Sequence, residues 1–155
     1  MIYKNNINID PMEAAFEQAR KAEMRGEVPI GAVLVNRNTG TILAAQGNRV
    51  EELKDPTAHA EILLIRDATK LNQSPRLIDC DLYVTLEPCP MCAQAISLAR
   101  VRRLLFAAYD AKGGGVDHGP RIYSHSTCHH VPEVIGGIRE QQAVKMLQAF
   151  FQSKR

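Results

Sequence analysis

The feature that most constrains the fold of this chain is a pair of short segments far apart in the sequence. The first is His59-Ala60-Glu61, and the second is Pro88-Cys89-Pro90-Met91-Cys92. Together they offer one imidazole and two thiols as metal ligands. Three ligands are too few to close a tetrahedral zinc site, so a fourth position stays open for water. The fold must therefore bring two separate stretches of chain against one ion.

The spacing of the two thiols predicts how they meet the metal. Cys89 and Cys92 are three positions apart, so at the start of a helix both sulfur atoms lie on one face. A helix amino terminus also favours the thiolate, because the helix dipole and the free N–H groups stabilise negative charge. Pro88 marks where the preceding strand ends. His59 begins a helix of its own, so we expect two helix starts to converge on one ion.

Glu61 is two residues from His59, which in the middle of a helix would place the two on opposite sides. Only near a helix start can both reach the same site. We therefore interpret Glu61 as a proton carrier beside the zinc-bound water and not as a fourth ligand. The pattern H-x-E…P-C-x-x-C is typical of zinc nucleobase deaminases. It predicts a catalytic zinc site with His59, Cys89 and Cys92 as ligands and Glu61 as the catalytic acid and base.

Other interpretations of the cysteines and histidines remain open at this point. A lone C-x-x-C is often a structural zinc knuckle or a redox pair, and a structural zinc module would need a fourth protein ligand. Cys80 is interpreted as a small packing residue. Cys128 lies in His125-Ser126-Thr127-Cys128-His129-His130, which can in principle hold a second metal, although adjacent histidines in such a loop are more often surface or pocket-wall residues.

Composition limits the class of protein. The chain has 155 residues, 45% of them hydrophobic, which predicts a single domain over residues 1–155 with its own core. A net charge of +2 neither requires nor excludes a nucleic-acid partner. The segment Met1–Asn6 lacks the apolar run of a signal peptide, and Ala32–Val35 is far too short to span a bilayer. We expect a soluble cytoplasmic protein without a membrane partner, whose cysteines are reduced and available to metal.

The hydrophobic pattern predicts alternating helices and strands. A helix starts at Asp10-Pro11-Met12-Glu13 and stops at Gly26. Strands at Pro29–Val35 and Thr41–Ala45 form a hairpin, and a helix runs from His59 to about Thr69. The pattern continues with a strand at Leu82–Leu86, a helix from Cys92 to about Ala99, a strand at Val101–Ala108 parallel to the previous one, a short strand near Val131–Ile135 and a closing helix from Arg139 to about Gln152.

With these residues identified, the chain resembles the bacterial tRNA-specific adenosine deaminases of the cytidine-deaminase-like superfamily. The resemblance runs from the first helix through Phe106, and Phe150-Phe151 with the basic residues that follow looks like the family's last helix. The matching motifs are Glu27-Val28-Pro29-Ile30-Gly31-Ala32-Val33, Gly47-Asn48-Arg49, Asp55-Pro56-Thr57-Ala58-His59-Ala60-Glu61, Arg76-Leu77-Ile78-Asp79 and Leu82–Ala93.

The resemblance implies a three-layer α/β/α sandwich with a central five-stranded mixed sheet. It implies one Zn²⁺ per subunit of a homodimer that binds a tRNA anticodon stem-loop, with tRNA-Arg as the expected partner, and converts the wobble adenosine to inosine. Carried over by motif, Asn48 is similar to the family's base-contacting asparagine. Asp110 begins an Asp-Ala-Lys segment that resembles the loop beside the flipped nucleotide.

The chain departs from the family directly after that segment. The family usually continues with Thr-Gly and small residues, whereas this chain has Gly113-Gly114-Gly115 followed by a His-rich stretch to Pro132. Two alternatives therefore remain: a deaminase of free nucleobases or nucleosides, and a catalytically silent RNA-binding subunit. Cations that can contact phosphate are Arg100, Arg102, Arg103, Lys112, Arg121, Lys154 and Arg155, each of which can equally be a solvated surface charge.

Overall fold

The computed structural model describes residues 9–155. The expectation about a signal peptide rests on the segment Met1–Asn6, which lies outside the described residues. The described part of the chain forms one five-stranded sheet and five α-helices. In chain order the elements are α1 (Pro11–Met24), β1 (Gly31–Asn36), β2 (Ile42–Gly47), α2 (Val50–Leu53), α3 (Ala60–Asn72), β3 (Cys80–Leu86), α4 (Pro90–Leu98), β4 (Arg103–Ala108), β5 (Glu133–Ile135) and α5 (Glu140–Ser153), with a 3₁₀ helix at Ile122–Ser124 before β5.

The ends of helix α1 follow the signals in its sequence. The Asp10 carboxylate accepts a hydrogen bond of 3.0 Å from the backbone N–H of Met12, and Pro11 occupies the first helical position. The helix ends at Met24, and Gly26 follows with a φ of 83°, a left-handed conformation that glycine adopts without strain. The predicted helix between Asp10 and Gly26 is confirmed.

The remaining predicted elements are confirmed with small shifts of their ends. Helix α4 begins at Pro90, two residues before the predicted start, because proline is well accommodated at the first position of a helix. The sequence did not predict α2 or the 3₁₀ helix at Ile122–Ser124. Both are about one turn long, so no hydrophobic periodicity can reveal them.

The strand directions collect the candidate site at one edge of the sheet. The strand order is β2-β1-β3-β4-β5, with β1 antiparallel to β2 and β3, and with β4 parallel to both β3 and β5. Strands β2, β3 and β4 consequently all end at the same edge. Asn48 follows β2, Pro88-Cys89 follows β3, and Asp110 follows β4. The carboxyl ends of strands in open α/β sheets are where ligands usually bind.

Helices cover both faces of the sheet and give it three layers. The larger core packs α3 and α4 against one face, with side chains such as Leu34, Leu82 and Phe106 fully buried. The other face packs against α1 and α5 through Phe16, Val33 and other buried residues. The predicted α/β/α sandwich with a five-stranded mixed sheet is therefore confirmed.

Glycine at position 31 allows α1 to lie directly on the sheet. A Cβ atom at Gly31 would meet the Ala15 carbonyl oxygen of α1 at 2.1 Å. Any side chain would force the helix away from β1 and disturb the edge where the candidate site lies.

Among residues 9–155, no helix is both long and apolar enough to cross a membrane.

Candidate metal centre and active site

Two helix amino termini converge, as the spacing of the ligands predicts. His59 is the residue immediately before α3 and has extended backbone angles (φ −72°, ψ 151°). Cys89 takes the same position before α4 (φ −68°, ψ 170°), and Cys92 lies in the first turn of that helix. Each extended residue turns its side chain into the space between the two helix ends.

The His59 nitrogen lies at the distance from each cysteine sulfur that a tetrahedral ion requires. The Nδ1 atom of His59 lies 3.6 Å from the Sγ atom of Cys89 and 3.6 Å from that of Cys92. Two ligands at ordinary Zn–N and Zn–S distances, seen at a tetrahedral angle, are about 3.6 Å apart. Within residues 9–155 these three are the one group of His, Cys, Asp or Glu whose ligand atoms all lie within 4.8 Å of one another. The donor set therefore fits zinc with one position left for a non-protein ligand.

The surroundings of the thiols favour a negative charge on Cys89. The pKa of Cys89 is lowered to about 4, first by the hydrogen bond that the Cys92 thiol donates and then by His59, against the opposing effect of burial. The same hydrogen bond and burial raise the pKa of Cys92. A metal needs both sulfurs as thiolates, so its binding displaces the proton of Cys92.

Glu61 is a buried carboxylic acid beside the ligands. It lies in the first turn of α3, is only 4% exposed, and interacts electrostatically with His59 and Cys89. Burial raises the pKa of Glu61 to about 7 because it disfavours the charged form. A carboxyl group of this kind exchanges a proton readily near neutral pH.

Asn48 connects the end of β2 to the start of helix α3. Its side-chain oxygen accepts a hydrogen bond of 2.9 Å from the backbone N–H of Ala60, the residue after the ligand His59. Its backbone is held as well, since its N–H donates to the Ile30 carbonyl at 3.1 Å and its own carbonyl accepts from Arg25 at 3.1 Å. The side-chain amide nitrogen of Asn48 has no hydrogen-bond partner among residues 9–155.

Asp110 shapes its own loop. One carboxylate oxygen accepts hydrogen bonds from the backbone N–H groups of Lys112, at 3.1 Å, and Gly113, at 2.9 Å. This is the turn that a short acidic side chain commonly forms with the residues after it. The structure thus places Asp110 at the same edge as the metal ligands, bonded to its own turn and not to those ligands.

Glu87 is a functional candidate that sequence reasoning missed. Its side chain is fully buried, directly between β3 and the ligand segment, and it accepts hydrogen bonds from the 110–118 loop. The donors are the backbone N–H groups of Asp110 (3.0 Å), Val116 (3.2 Å), Asp117 (3.0 Å) and His118 (3.1 Å), and the Nδ1 atom of His118 (2.8 Å). These bonds outweigh burial, so the pKa of Glu87 is lowered. The signal available in the sequence was an acid between Leu86 and Pro88, inside an otherwise apolar strand end.

Glu27 has a similar role on the other side of the site. Its buried carboxylate accepts the backbone N–H of Glu51 at 2.9 Å and that of Glu52 at 3.1 Å, at the start of α2. It thereby holds the chain just after Asn48. Sequence reasoning treated this acid only as part of a family motif.

The glycines that depart from the family pattern have a structural reason. A Cβ atom at Gly114 would meet the Glu87 carboxylate at 2.3 Å, and one at Gly115 would meet the Pro90 nitrogen at 2.5 Å. The N–H of Gly115 also donates to the Pro88 carbonyl at 2.8 Å. The loop therefore lies directly on the segment that carries Cys89.

The His-rich segment is held by hydrogen bonds to the protein. The imidazole of His130 contacts the Val101 carbonyl at 2.7 Å, and the Ser97 hydroxyl donates to the His130 carbonyl at 2.6 Å. The Cys128 thiol lies 3.3 Å from the same hydroxyl. In the described part of the chain these residues form no second group with metal-ligand geometry.

A cavity of about 1170 Å³ opens beside the 109–113 loop and α5, and its lining does not include the three ligands. The candidate phosphate-binding cations Lys112, Lys154 and Arg155 line it, together with Asp110. Arg102 and Arg103 instead pair with Asp81 at 2.6 Å and Glu133 at 3.4 Å, at the opposite edge of the sheet.

Comparison with known proteins agrees with this site. Residues 6–108 match the cytidine and deoxycytidylate deaminase zinc-binding region. A tRNA-specific adenosine deaminase of Agrobacterium fabrum is 54% identical over 144 residues, which cover 93% of this chain and 93% of that protein. The protein of the same name from Bacillus subtilis is 44% identical over 144 residues, 93% of this chain and 88% of that protein.

Solved structures show the same relationship in the fold. One from a study of A-to-I editing by tRNA:A34 deaminases superposes with a TM-score of 0.85 and 53% identity, covering 88% of this chain and 98% of that one. Guanine deaminase from Bacillus subtilis gives a TM-score of 0.62 and 31% identity, covering 92% of each chain. With its zinc-ligand geometry and these near full-length matches, the chain belongs to the tRNA-specific adenosine deaminase family of zinc-binding deaminases.

Proposed function

We propose that this protein hydrolyses the wobble adenosine of a tRNA anticodon to inosine and releases ammonia. The observation that carries the proposal is near full-length identity of 54% to a tRNA-specific adenosine deaminase, against 31% to a guanine deaminase. The geometry of His59, Cys89 and Cys92 supports the same chemistry, because it leaves room for water.

The chain's own residues supply the proton transfers and the orientation of the base. Zinc, when bound by His59, Cys89 and Cys92, supplies Lewis-acid activation of water. The buried carboxyl of Glu61 accepts a proton from the attacking water and delivers it to a ring nitrogen of adenine. A second proton passes through Glu61 to the leaving amine, so ammonia departs and a carbonyl remains.

Asn48 is proposed to contact the base. Its side-chain oxygen is held by the N–H of Ala60, which fixes the plane of the amide beside the metal ligand His59. Its amide nitrogen is without a partner among residues 9–155 and is available to donate to a base nitrogen or a ribose oxygen. Asn48 is only 6% exposed, so a substrate that accepts this hydrogen bond is favoured over one that leaves the amide unpaired.

The cavity next to Asp110 is proposed to receive the flanking nucleotides of the anticodon loop. Lys112, Lys154 and Arg155 on its lining give it the positive charge that phosphate contacts need. A base deaminated outside the duplex stack must present its neighbours to such a surface. Asp110 lines this cavity at the same edge of the sheet as the metal ligands and is the proposed contact to the flipped nucleotide.

We also propose a homodimer with one zinc ion per subunit, tRNA-Arg as the preferred partner and a cytoplasmic location. Met91 and Leu98 lie two turns apart on one face of α4 and are 37% and 69% exposed, which supports the dimer. Large apolar side chains on such a face favour contact with another protein surface.

The test is a panel of substrates given to the purified zinc-loaded protein. One arm is an arginine-tRNA anticodon stem-loop with adenosine at the wobble position, and its matched control carries the adenosine at the neighbouring anticodon position. The other arms are free adenosine, guanine and cytosine. We expect inosine and ammonia from the first arm alone. Ammonia only from free bases or nucleosides would reject the tRNA substrate and favour the alternative activity.

A further inference from the structure

Glu87, at the end of β3, accepts five hydrogen bonds from the 110–118 loop. One carboxylate oxygen accepts from the N–H of Asp110 and from the His118 imidazole, and the other from the N–H groups of Val116, Asp117 and His118. The side chain is fully buried, so these bonds replace the whole of its hydration. One carboxylate thus gathers backbone donors from both ends of the loop.

The same residue is continuous with the metal-ligand segment. Its backbone N–H donates to the Ala108 carbonyl at 2.8 Å at the end of β4, and Cys89 follows two residues later in the chain. The Gly115 N–H donates to the Pro88 carbonyl at 2.8 Å, which ties the loop to the ligand segment a second time. Any displacement of Glu87 therefore moves the loop relative to the zinc ligands.

We infer that Glu87 is a positioning residue for the RNA substrate, acting through the 110–118 loop. That loop carries Asp110 and Lys112 to the lining of the cavity proposed to receive the flanking nucleotides. Glu87 sets the distance between this lining and the metal centre, while His118 adds a backbone bond and a side-chain bond from the loop's far end. The inference rests on the proposed tRNA deamination and goes beyond it by naming the residue that holds the loop in position.

The experiment compares Glu87→Gln with the unchanged protein on the wobble-adenosine stem-loop. An amide offers one acceptor oxygen and one donor nitrogen, so at least one of the backbone N–H donors faces another donor. We expect KM to rise about tenfold or more, with kcat within about threefold and the zinc content unchanged. Faster amide hydrogen exchange in residues 110–118 should accompany the rise in KM.

His118 variants keep the test decisive if Glu87→Gln fails to fold. His118→Ala removes one donor and leaves the backbone bonds in place, so we expect KM to rise about threefold. His118→Asn can donate from a similar position and should restore the original KM. Asp81→Asn is the matched control, because Asp81 is a largely buried carboxylate at the opposite end of β3, bonded to Arg102.

Unchanged KM values in Glu87→Gln and His118→Ala, with the unchanged protein active, would overturn the inference. A loss of bound zinc with a matching fall in kcat, seen in both variants, would also overturn it, because that result would indicate a role in the metal centre alone. Absence of inosine from the unchanged protein would instead count against the proposed function. The two failures are therefore distinguishable in one set of assays.

Discussion

The side-chain oxygen of Asn48 lies 2.9 Å from the backbone nitrogen of Ala60 and accepts its hydrogen bond. This contact caps helix α3 from outside, at the residue next to the ligand His59. The free N–H groups of a helix start need such acceptors. Asn48 therefore has a structural role in addition to its proposed contact with the base.

Two substitutions at Asn48 should separate these roles. Asn48→Ala removes the cap and should destabilise the protein by about 1 kcal/mol, while activity falls. Asn48→Asp keeps an acceptor oxygen at the helix start but loses the amide donor, so it should retain stability and lose activity. Thermal unfolding and stem-loop deamination measure the two effects. Equal activity in Asn48→Asp and the unchanged protein would argue against the base contact.

Replacement of Glu61 by alanine should leave zinc bound and reduce turnover by about a hundredfold or more, because the proposed proton carrier is gone. Elemental analysis measures the zinc and inosine formation measures the rate. Glu61→Gln is the closer steric match and should behave in the same way. A fully active Glu61→Ala protein would contradict the role assigned to this carboxyl group.

Replacement of Cys89 by alanine should lose the metal. Two remaining ligands cannot hold zinc as three do, and Cys89 is the ligand with the most stable thiolate, its pKa being lowered to about 4. Cys80→Ala is the control, since Cys80 is buried at the opposite end of β3 and should leave the zinc content unchanged. Retention of one zinc per chain in Cys89→Ala would contradict the ligand set.

Alanine at Gly114 should be far more damaging than alanine at Gly113. The added carbon at Gly114 would meet the Glu87 carboxylate at 2.3 Å and the Asp110 carbonyl oxygen at 2.5 Å, whereas at Gly113 the nearest atom is the end of the Asp110 side chain at 3.0 Å. We expect a loss of about 1–3 kcal/mol for Gly114→Ala and less than about 1 kcal/mol for Gly113→Ala. Denaturant unfolding compares them, and similar losses in both would contradict the described packing.

Glutamate at Leu98 should break the proposed homodimer. The side chain is 69% exposed on α4, and a charge there opposes burial in any apolar interface. Light scattering should show a dimer for the unchanged protein and a monomer for Leu98→Glu. Met24→Glu is the control, because Met24 is 86% exposed on α1, which packs on the opposite face of the sheet. A dimer that survives Leu98→Glu would place the interface elsewhere.

Much of the fold follows from local signals in the sequence. Asp10-Pro11 starts α1, the alternation of strands with helices predicts the layers, and the ligand spacing predicts two converging helix starts. The structure confirms each of these elements. Their signals lie within a few residues of the structure they specify, so an isolated sequence can carry them.

The roles of the buried acids Glu87 and Glu27 depend on contacts between residues far apart in the chain, which such local signals cannot reveal. The donors that bind Glu87 are 23 to 31 positions away in the chain, and those that bind Glu27 are 24 and 25 positions away. Apart from the His118 imidazole they are backbone N–H groups, which every residue except proline has, so no residue type marks them in advance. The glycines of Gly113-Gly114-Gly115 likewise have a physical reason only in the folded chain, where Gly114 packs on the Glu87 carboxylate.

The sequence alone determined the chemistry of this protein, because one imidazole, two thiols and an adjacent carboxylic acid are specified by residue identity. It also determined that helix starts would present them, since capping positions and proline act locally. Only the tertiary structure decided how the surrounding loops are held, with Asn48 capping α3 and Glu87 binding the 110–118 loop. Those contacts depend on strands β2, β3 and β4 ending at one edge of the sheet, and long-range pairing alone sets that arrangement.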